Sequence, residues 1–290
     1  MRNCKSANRE VLASINFAAC SSAISESDQV DSRSPELPIY SGSVPHVIYG
    51  IHAVEEAVRS RSRSLDYVGV ARERTNDARV KRLLEAARAN HVIVRTVDRE
   101  QIAKLARTDL HQGVIAVGGR FGYTDISELL AHRRGEHAFL LVLDGIEDPH
   151  NLGAIIRTAD AAGVDGVVVP ERRAAGVTGT VAKASAGASE HVPIARVTNV
   201  ARTIEELKQH NVWTVGLDER GTQSYDELDY KMDCGIVLGA EGHGLHDLVR
   251  RKCDFLVSIP MLGHVPSLNV SVAAAVVMYE AARQRRAKKQ

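Results

Sequence analysis

The sequence predicts an α/β protein made of two successive units, and three features carry that prediction. Short β-rich runs alternate with helical ones from His46 onward. The run "HAFLLVLDG" is continuously apolar, as a strand buried on both faces of a parallel sheet must be. A second apolar strand, "GIVLG", runs straight into a glycine-rich turn, and strand ends of this kind gather ligand-binding loops in α/β sheets.

In chain order, residues 1–45 are rich in Ser and Ala, without periodicity, and are expected to form a disordered extension. Arg2, Lys5 and Arg9 and the stretch "NFAACSS" hint at a leader, but Glu26, Asp28, Asp31 and Glu36 argue against one, so a cytoplasmic protein is expected. Residues 46–119 then alternate "HVIYG", "IHAVEEAVRS", "LDYVGVA", "DARVKRLLEAARANH", "VIVRTVD", "REQIAKLAR" and "GVIAVGG", a small α/β sandwich. Residues 120–137 read as a linker holding one helix, "TDISELLAHRR".

From 138 to 290 the alternation resumes. Strand "HAFLLVLDG" is followed by helix "NLGAIIRTADAAG", strand "GVVVP", a helix over "GTVAKASAGAS", strand "VPIARV" and helix "VARTIEELKQH". Strands "VWTVGLD" and "GIVLG", helix "LHDLVRRK" and strand "FLVSIP" come next. The Ala-rich run from Val270 onward, free of Gly and Pro and ending in charge, reads as a final helix.

The composition is that of an ordinary globular protein, 44% hydrophobic and 25% charged, with no apolar run of membrane-spanning length. The four cysteines form no CxxC pair or zinc-ligand spacing, so free thiols and no metal are expected. Net charge is +1, but residues 46–120 carry 14 basic and 9 acidic groups, a basic island suited either to nucleic acid or to a solvated helix face.

Three stretches carry chemistry. In "DPHNLGAIIRTADAAG" a stripe of Leu152, Ile155, Ile156 and Ala159 packs inward, and Arg157 points away from it. That arginine is free to meet an anionic substrate or a partner, or else to pair with Asp160. In "GIVLGAEGHGL" the glycines Gly239, Gly242 and Gly244 permit close backbone approach, and Glu241 would repel phosphate. An uncharged or cationic ligand fits that turn better. In "IPMLGHVPSLNVSVAAA" the residues Ser267, Asn269 and Ser271 stand at a loop-to-helix junction, where capping needs only one of them.

Together, and in this order, the three stretches resemble the successive motifs of the SpoU family of S-adenosylmethionine-dependent RNA ribose 2′-O-methyltransferases, within the SPOUT superfamily. With "IYGIHAVEEAV" and "HQGVIAV" the resemblance extends over residues 46–118, and the nearest likeness is to bacterial enzymes that methylate a guanosine ribose of 23S rRNA. It implies an L30e-like RNA-binding module followed by an α/β-knot methyltransferase domain, a mostly parallel sheet with a trefoil knot. Leu238, Gly239, Ala240, Glu241, Gly242, Ile259, Met261, Ser267, Leu268 and Asn269 would then hold S-adenosylmethionine. Arg157 would be catalytic, Asn151 would position the ribose or the helix start, and Glu241 would anchor the turn or contact substrate. The implied partners are rRNA and a second copy of the chain. A tRNA-directed member of the family and a non-catalytic rRNA-binding protein are the competing readings. A Rossmann dehydrogenase lacks its G-x-G turn after "LVLDG".

Overall fold

Seven parallel strands and the helices on their two faces make up the second half of the chain, and a four-stranded mixed sheet makes up the first. A computed structural model describes residues 45–61, 64–240 and 242–286, all within one compact unit. The extension expected over residues 1–45 lies almost wholly outside them, and so does Glu241.

The first sheet holds β1 (His46–Tyr49), β2 (Leu65–Ala71), β3 (Val94–Val97) and β4 (Val114–Gly118) in the order β1-β4-β2-β3. Strand β4 is antiparallel to both neighbours, and β2 and β3 are parallel. Helices α1 (Ile51–Arg61), α2 (Ala78–Ala89) and α3 (Arg99–Ala106) cover it. Helix α2 shows why the sequence folds so locally: the Asp77 carboxylate accepts from the N–H groups of Arg79 and Val80. Its buried residues Val80, Leu83, Leu84 and Ala87 recur at helical spacing.

After α4 (Ile126–Ala131), the second sheet is built from β5 (Phe139–Asp144), β6 (Gly166–Pro170), β7 (Ile194–Val197), β8 (Trp213–Leu217), β9 (Gln223–Ser224), β10 (Cys234–Gly239) and β11 (Phe255–Ser258). Its order is β7-β6-β5-β10-β8-β11-β9, and every pairing is parallel. The continuous apolar run of β5 is explained by its two faces. Phe139, Leu141 and Leu143 enter one core with α5 (Pro149–Ala162) and α9 (Val270–Arg286), while Leu140 and Val142 enter another with α7 (Val200–Gln209) and α8 (Asp247–Lys252). Each fully buried aliphatic side chain contributes about 1.5–3 kcal/mol. Strand β9, only two residues long, was not foreseen.

One expected helix is shorter than its composition suggested. The stretch 179–189 is helical only over α6 (Gly179–Ala184); Ala186 and Gly187 then take left-handed backbone, with φ of 52° and 91°, ahead of a 3-10 turn. The cause is tertiary. A Cβ on Gly187 would stand 2.6 Å from Glu56 Cβ in α1, and one on Gly179 would stand 2.3 Å from the Val47 carbonyl. Gly153 of α5 presses α6 from the other side, since a Cβ there would meet Ala184 Cβ at 2.4 Å. Helix α6 is therefore clamped between the two sheets' helices, with Tyr49 Oη 3.0 Å from Thr180 Oγ1 and His191 Nε2 2.8 Å from Glu56 Oε2.

The last helix is fastened at both ends. Asn269 caps its start, with Oδ1 accepting from Ser271 N at 2.9 Å. Near its close, the Arg285 guanidinium donates to the carbonyls of His137, Ala138, Tyr230 and Met232 at 2.7–3.0 Å and lies over the Phe139 ring.

Candidate active site

A cleft of about 1020 Å³ opens at the carboxyl ends of β8, β10 and β11. Its position follows from the sheet: parallel strands end together, and their loops must cross there. Three loops form its walls. The turn after β10 supplies Leu238, Gly239, Ala240, Gly242 and Gly244. The loop between β11 and α9 supplies Ile259, Met261, Ser267, Leu268 and Asn269. The end of β8 supplies Leu217, Asp218, Glu219 and Arg220. All of the residues expected to hold a cofactor, save the undescribed Glu241, thus meet at one cavity. The β8 wall was missed, although "GLDERG" after an apolar strand offers a carboxylate at a strand end.

The glycines matter for distinct reasons. A Cβ on Gly239 would fall 2.0 Å from the carbonyl carbon of Gly244, so the turn closes only without one. Gly242 and Gly244 hold φ of 78° and 65°, in the left-handed region. Two hydrogen bonds between Ala240 and Gly244 lock the turn, at 3.0 and 3.1 Å. On the facing wall, Asp218 is held by an N–H from Arg220 at 2.9 Å. Its carboxylate and that of Glu219 give the cleft an acidic side suited to a positively charged sulfonium or ammonium group. Apolar Leu217, Leu238, Ile259 and Leu268 suit an aromatic base. The lining therefore fits S-adenosylmethionine.

Asn151 and Arg157 both lie on α5, whose start is fixed by the Asp148 carboxylate accepting from His150 N and by Pro149. Asn151 is buried, and its Oδ1 accepts from Asn269 Nδ2 at 3.1 Å. That bond joins α5 to the cleft wall. The stripe of Leu152, Ile155, Ile156 and Ala159 is buried as expected, and Arg157 is exposed, making no hydrogen bond or ion pair with any described residue. The alternative pairing of Arg157 with Asp160 does not form: Asp160 sits 3.8 Å from Arg134 instead.

The two described cysteines offer no nucleophile, because burial pushes both thiols up, that of Cys253 to about 12. Among the described residues there is no cluster of His, Cys, Asp or Glu able to hold a metal ion, and no helix long and apolar enough to cross a membrane.

Comparison with known proteins agrees with this geometry. Residues 138–279 match the model of the SpoU rRNA Methylase family, and residues 47–119 match that described as RNA 2′-O ribose methyltransferase substrate binding. A Staphylococcus saprophyticus protein named for the TrmH family of tRNA/rRNA methyltransferases is 45% identical over 241 residues, covering 82% of this chain and 96% of its own. A Bacillus subtilis protein of the same description is 44% identical over 240 residues, covering 82% and 95%. Among solved structures, the SpoU methyltransferase AviRb of Streptomyces viridochromogenes in complex with AdoMet superposes with a TM-score of 0.69 at 26% identity, over 83% of this chain and 91% of its own. An AdoMet-bound rRNA methyltransferase of Sinorhizobium meliloti gives 0.65 at 25% identity, over 83% and 87%.

Proposed function

The chain belongs to the SpoU rRNA methylase family and is an RNA methyltransferase that uses S-adenosylmethionine; from that premise we propose that it methylates a ribose 2′-hydroxyl, on a guanosine of 23S rRNA. The observation that carries the reading is the meeting of the β10 turn and the loop before α9 at one cleft, whose wall residue Asn269 is hydrogen-bonded to Asn151 of the helix that carries Arg157. We assign residues 46–119 to holding the RNA and residues 138–290 to the reaction, in the cytoplasm. The match of residues 47–119 to a substrate-binding family and the basic charge of residues 46–120 support that division. The loop before α9 is read as part of a trefoil knot through which α9 threads.

When bound, S-adenosylmethionine supplies an activated methyl group on a sulfonium. The residues of the chain do the rest. Leu238, Gly239, Ala240, Gly242, Ile259, Met261 and Leu268 would hold the cofactor, and the Asp218 side of the cleft would balance its positive charge. Asn151 holds Asn269 and so keeps the start of α5 against the cleft. Arg157 donates toward the target hydroxyl or its neighbouring phosphate and stabilises developing negative charge on the oxygen. Positioning supplies much of the acceleration, because the leaving thioether is neutral.

The reading includes a homodimer. On α9, Val272 and Tyr279 are exposed one heptad apart, and Met261, Leu262 and Val265 are exposed on the adjoining loop, with Leu262 at 100%. A second copy would cover this apolar surface and bring Arg157 toward the partner's cleft.

Purified protein supplied with methyl-labelled S-adenosylmethionine should label 23S rRNA, with little transfer to 16S rRNA or tRNA. Digestion and mass spectrometry should place the methyl on a guanosine ribose. Labelling of tRNA alone would replace the rRNA reading with the tRNA one.

A further inference from the structure

Asp144 closes β5 and is 6% exposed. Its Oδ2 accepts twice from His246, from the backbone N–H and from ring Nδ1, each at 2.9 Å. A carboxylate only accepts, so Nδ1 carries the ring proton and Nε2 is left as an acceptor. Nε2 makes no hydrogen bond to any described residue, and the side chain is 54% exposed. The residue stands at the start of α8, yet its side chain caps nothing there. The backbone bond alone would tie the turn to β5; the ring bond adds a fixed orientation.

The ring does not line the cleft itself but stands close to one of its wall residues. A Cβ built on Gly145 would lie 3.5 Å from His246 Cε1 and 3.6 Å from Ala240 Cβ, and Ala240 lines the cleft. Gly145 opens the loop that leads into α5, the helix of Asn151 and Arg157. Among the described residues, Asp144 of β5 bonds the ring, and Asp247 and Arg250 of α8, next to it in the chain, pair with each other at 2.7 Å. Arg173 presents its backbone carbonyl to the same spot.

We propose that His246, oriented by Asp144, is a further catalytic residue, the acceptor of the 2′-hydroxyl proton. The inference rests on the methyl-transfer reading and supplies what Arg157 cannot, since an arginine stays protonated. In the step, the hydroxyl O–H bond breaks and its proton goes to Nε2. The oxygen forms its new bond to the methyl carbon, and the electron pair of the carbon–sulfur bond leaves with the thioether. Asp144 stabilises the resulting imidazolium, which afterwards releases its proton to water.

The test turns on His246→Asn. Its amide Nδ2 can donate to Asp144 as Nδ1 does, but it offers no base. Single-turnover methylation of transcribed 23S rRNA should fall about a hundredfold or more and lose the acidic limb of its pH profile. Binding of S-adenosylmethionine by calorimetry and the melting temperature should stay at wild-type values. A wild-type rate in this variant would overturn the proposal and leave the methyltransferase reading standing. Nitrogen NMR of the cofactor-free enzyme gives a second readout: wild type should show the Nδ1-protonated tautomer and Asp144→Asn a changed one, whereas an Nε2-protonated ring in wild type would overturn it. Wild-type protein that methylates no RNA would instead remove the underlying reading.

Discussion

Asn269 Nδ2 donates to Asn151 Oδ1 over 3.1 Å, linking the cap of the last helix to the start of the helix that carries Arg157, 118 residues earlier. A half-buried amide hydrogen bond of this kind is worth about 0.5–1.5 kcal/mol net. A double-mutant cycle of Asn151→Ala and Asn269→Ala should therefore show coupling above about 0.5 kcal/mol. The single change at 269 should cost more stability than that at 151, because it also strips the cap from Ser271. Additive effects in urea unfolding would mean that the two residues act separately.

Arg157 is exposed and pairs with no described residue. Arg157→Ala should keep the melting temperature within a degree or two of wild type while turnover falls by about 10²–10³, the scale of one lost transition-state donor. Turnover close to wild type would return the residue to the solvated surface.

The joint between the two sheets is tight enough to probe by a single side chain. Gly179→Val would drive Cβ into the Val47 carbonyl, a backbone atom that cannot swing aside. About 1–3 kcal/mol of stability should be lost. If residues 46–119 deliver RNA to the cleft, rRNA methylation should fall further than cofactor affinity, a difference that calorimetry and a labelling assay read separately.

Charge placed on the exposed side of α9 tests the dimer. Val272→Glu with Tyr279→Glu should give a folded monomer by light scattering, with methylation lost. Wild-type protein that is monomeric and fully active at micromolar concentration would contradict the dimer.

His111 should make stability pH-dependent. It is almost wholly buried, Nδ1 accepts from Gly113 N at 2.9 Å, and Nε2 has no hydrogen-bond partner among the described residues. Burial, helped by Arg99, holds its pKa below the usual histidine value. The unfolded chain thus binds the proton more readily. The stability contribution is complete above the unfolded value, about 6.5, and is lost as pH falls through the lower folded value. His111→Asn keeps an acceptor for Gly113 and removes the titration, so the slope of unfolding free energy between pH 5 and 7 should flatten.

The strands and most helices were legible because burial leaves a periodic trace: β5 is apolar throughout since both faces are covered, and α5 shows a stripe with Arg157 off it. The residues of the β10 turn and of the loop before α9 that line the cleft were legible through motif likeness. The break after Ala184 was not, because the reason for Gly187 is a side chain 131 residues upstream, Glu56. The Asp144–His246 pair was equally hidden. Nothing local to either residue signals a partner 102 positions away.

The grip of Arg285 on the carbonyls of His137 and Ala138 has a consequence for how the protein is made. It bridges 147 residues, from the threshold of β5 to the last described turn of α9. Synthesis runs from the amino terminus, so the strands and the cleft loops leave the ribosome before the side chain that fastens them. The first sheet can acquire its contacts early, while the second waits for the last described turn of α9. An enzyme that acts on RNA thus becomes competent only once residue 285 has left the ribosome.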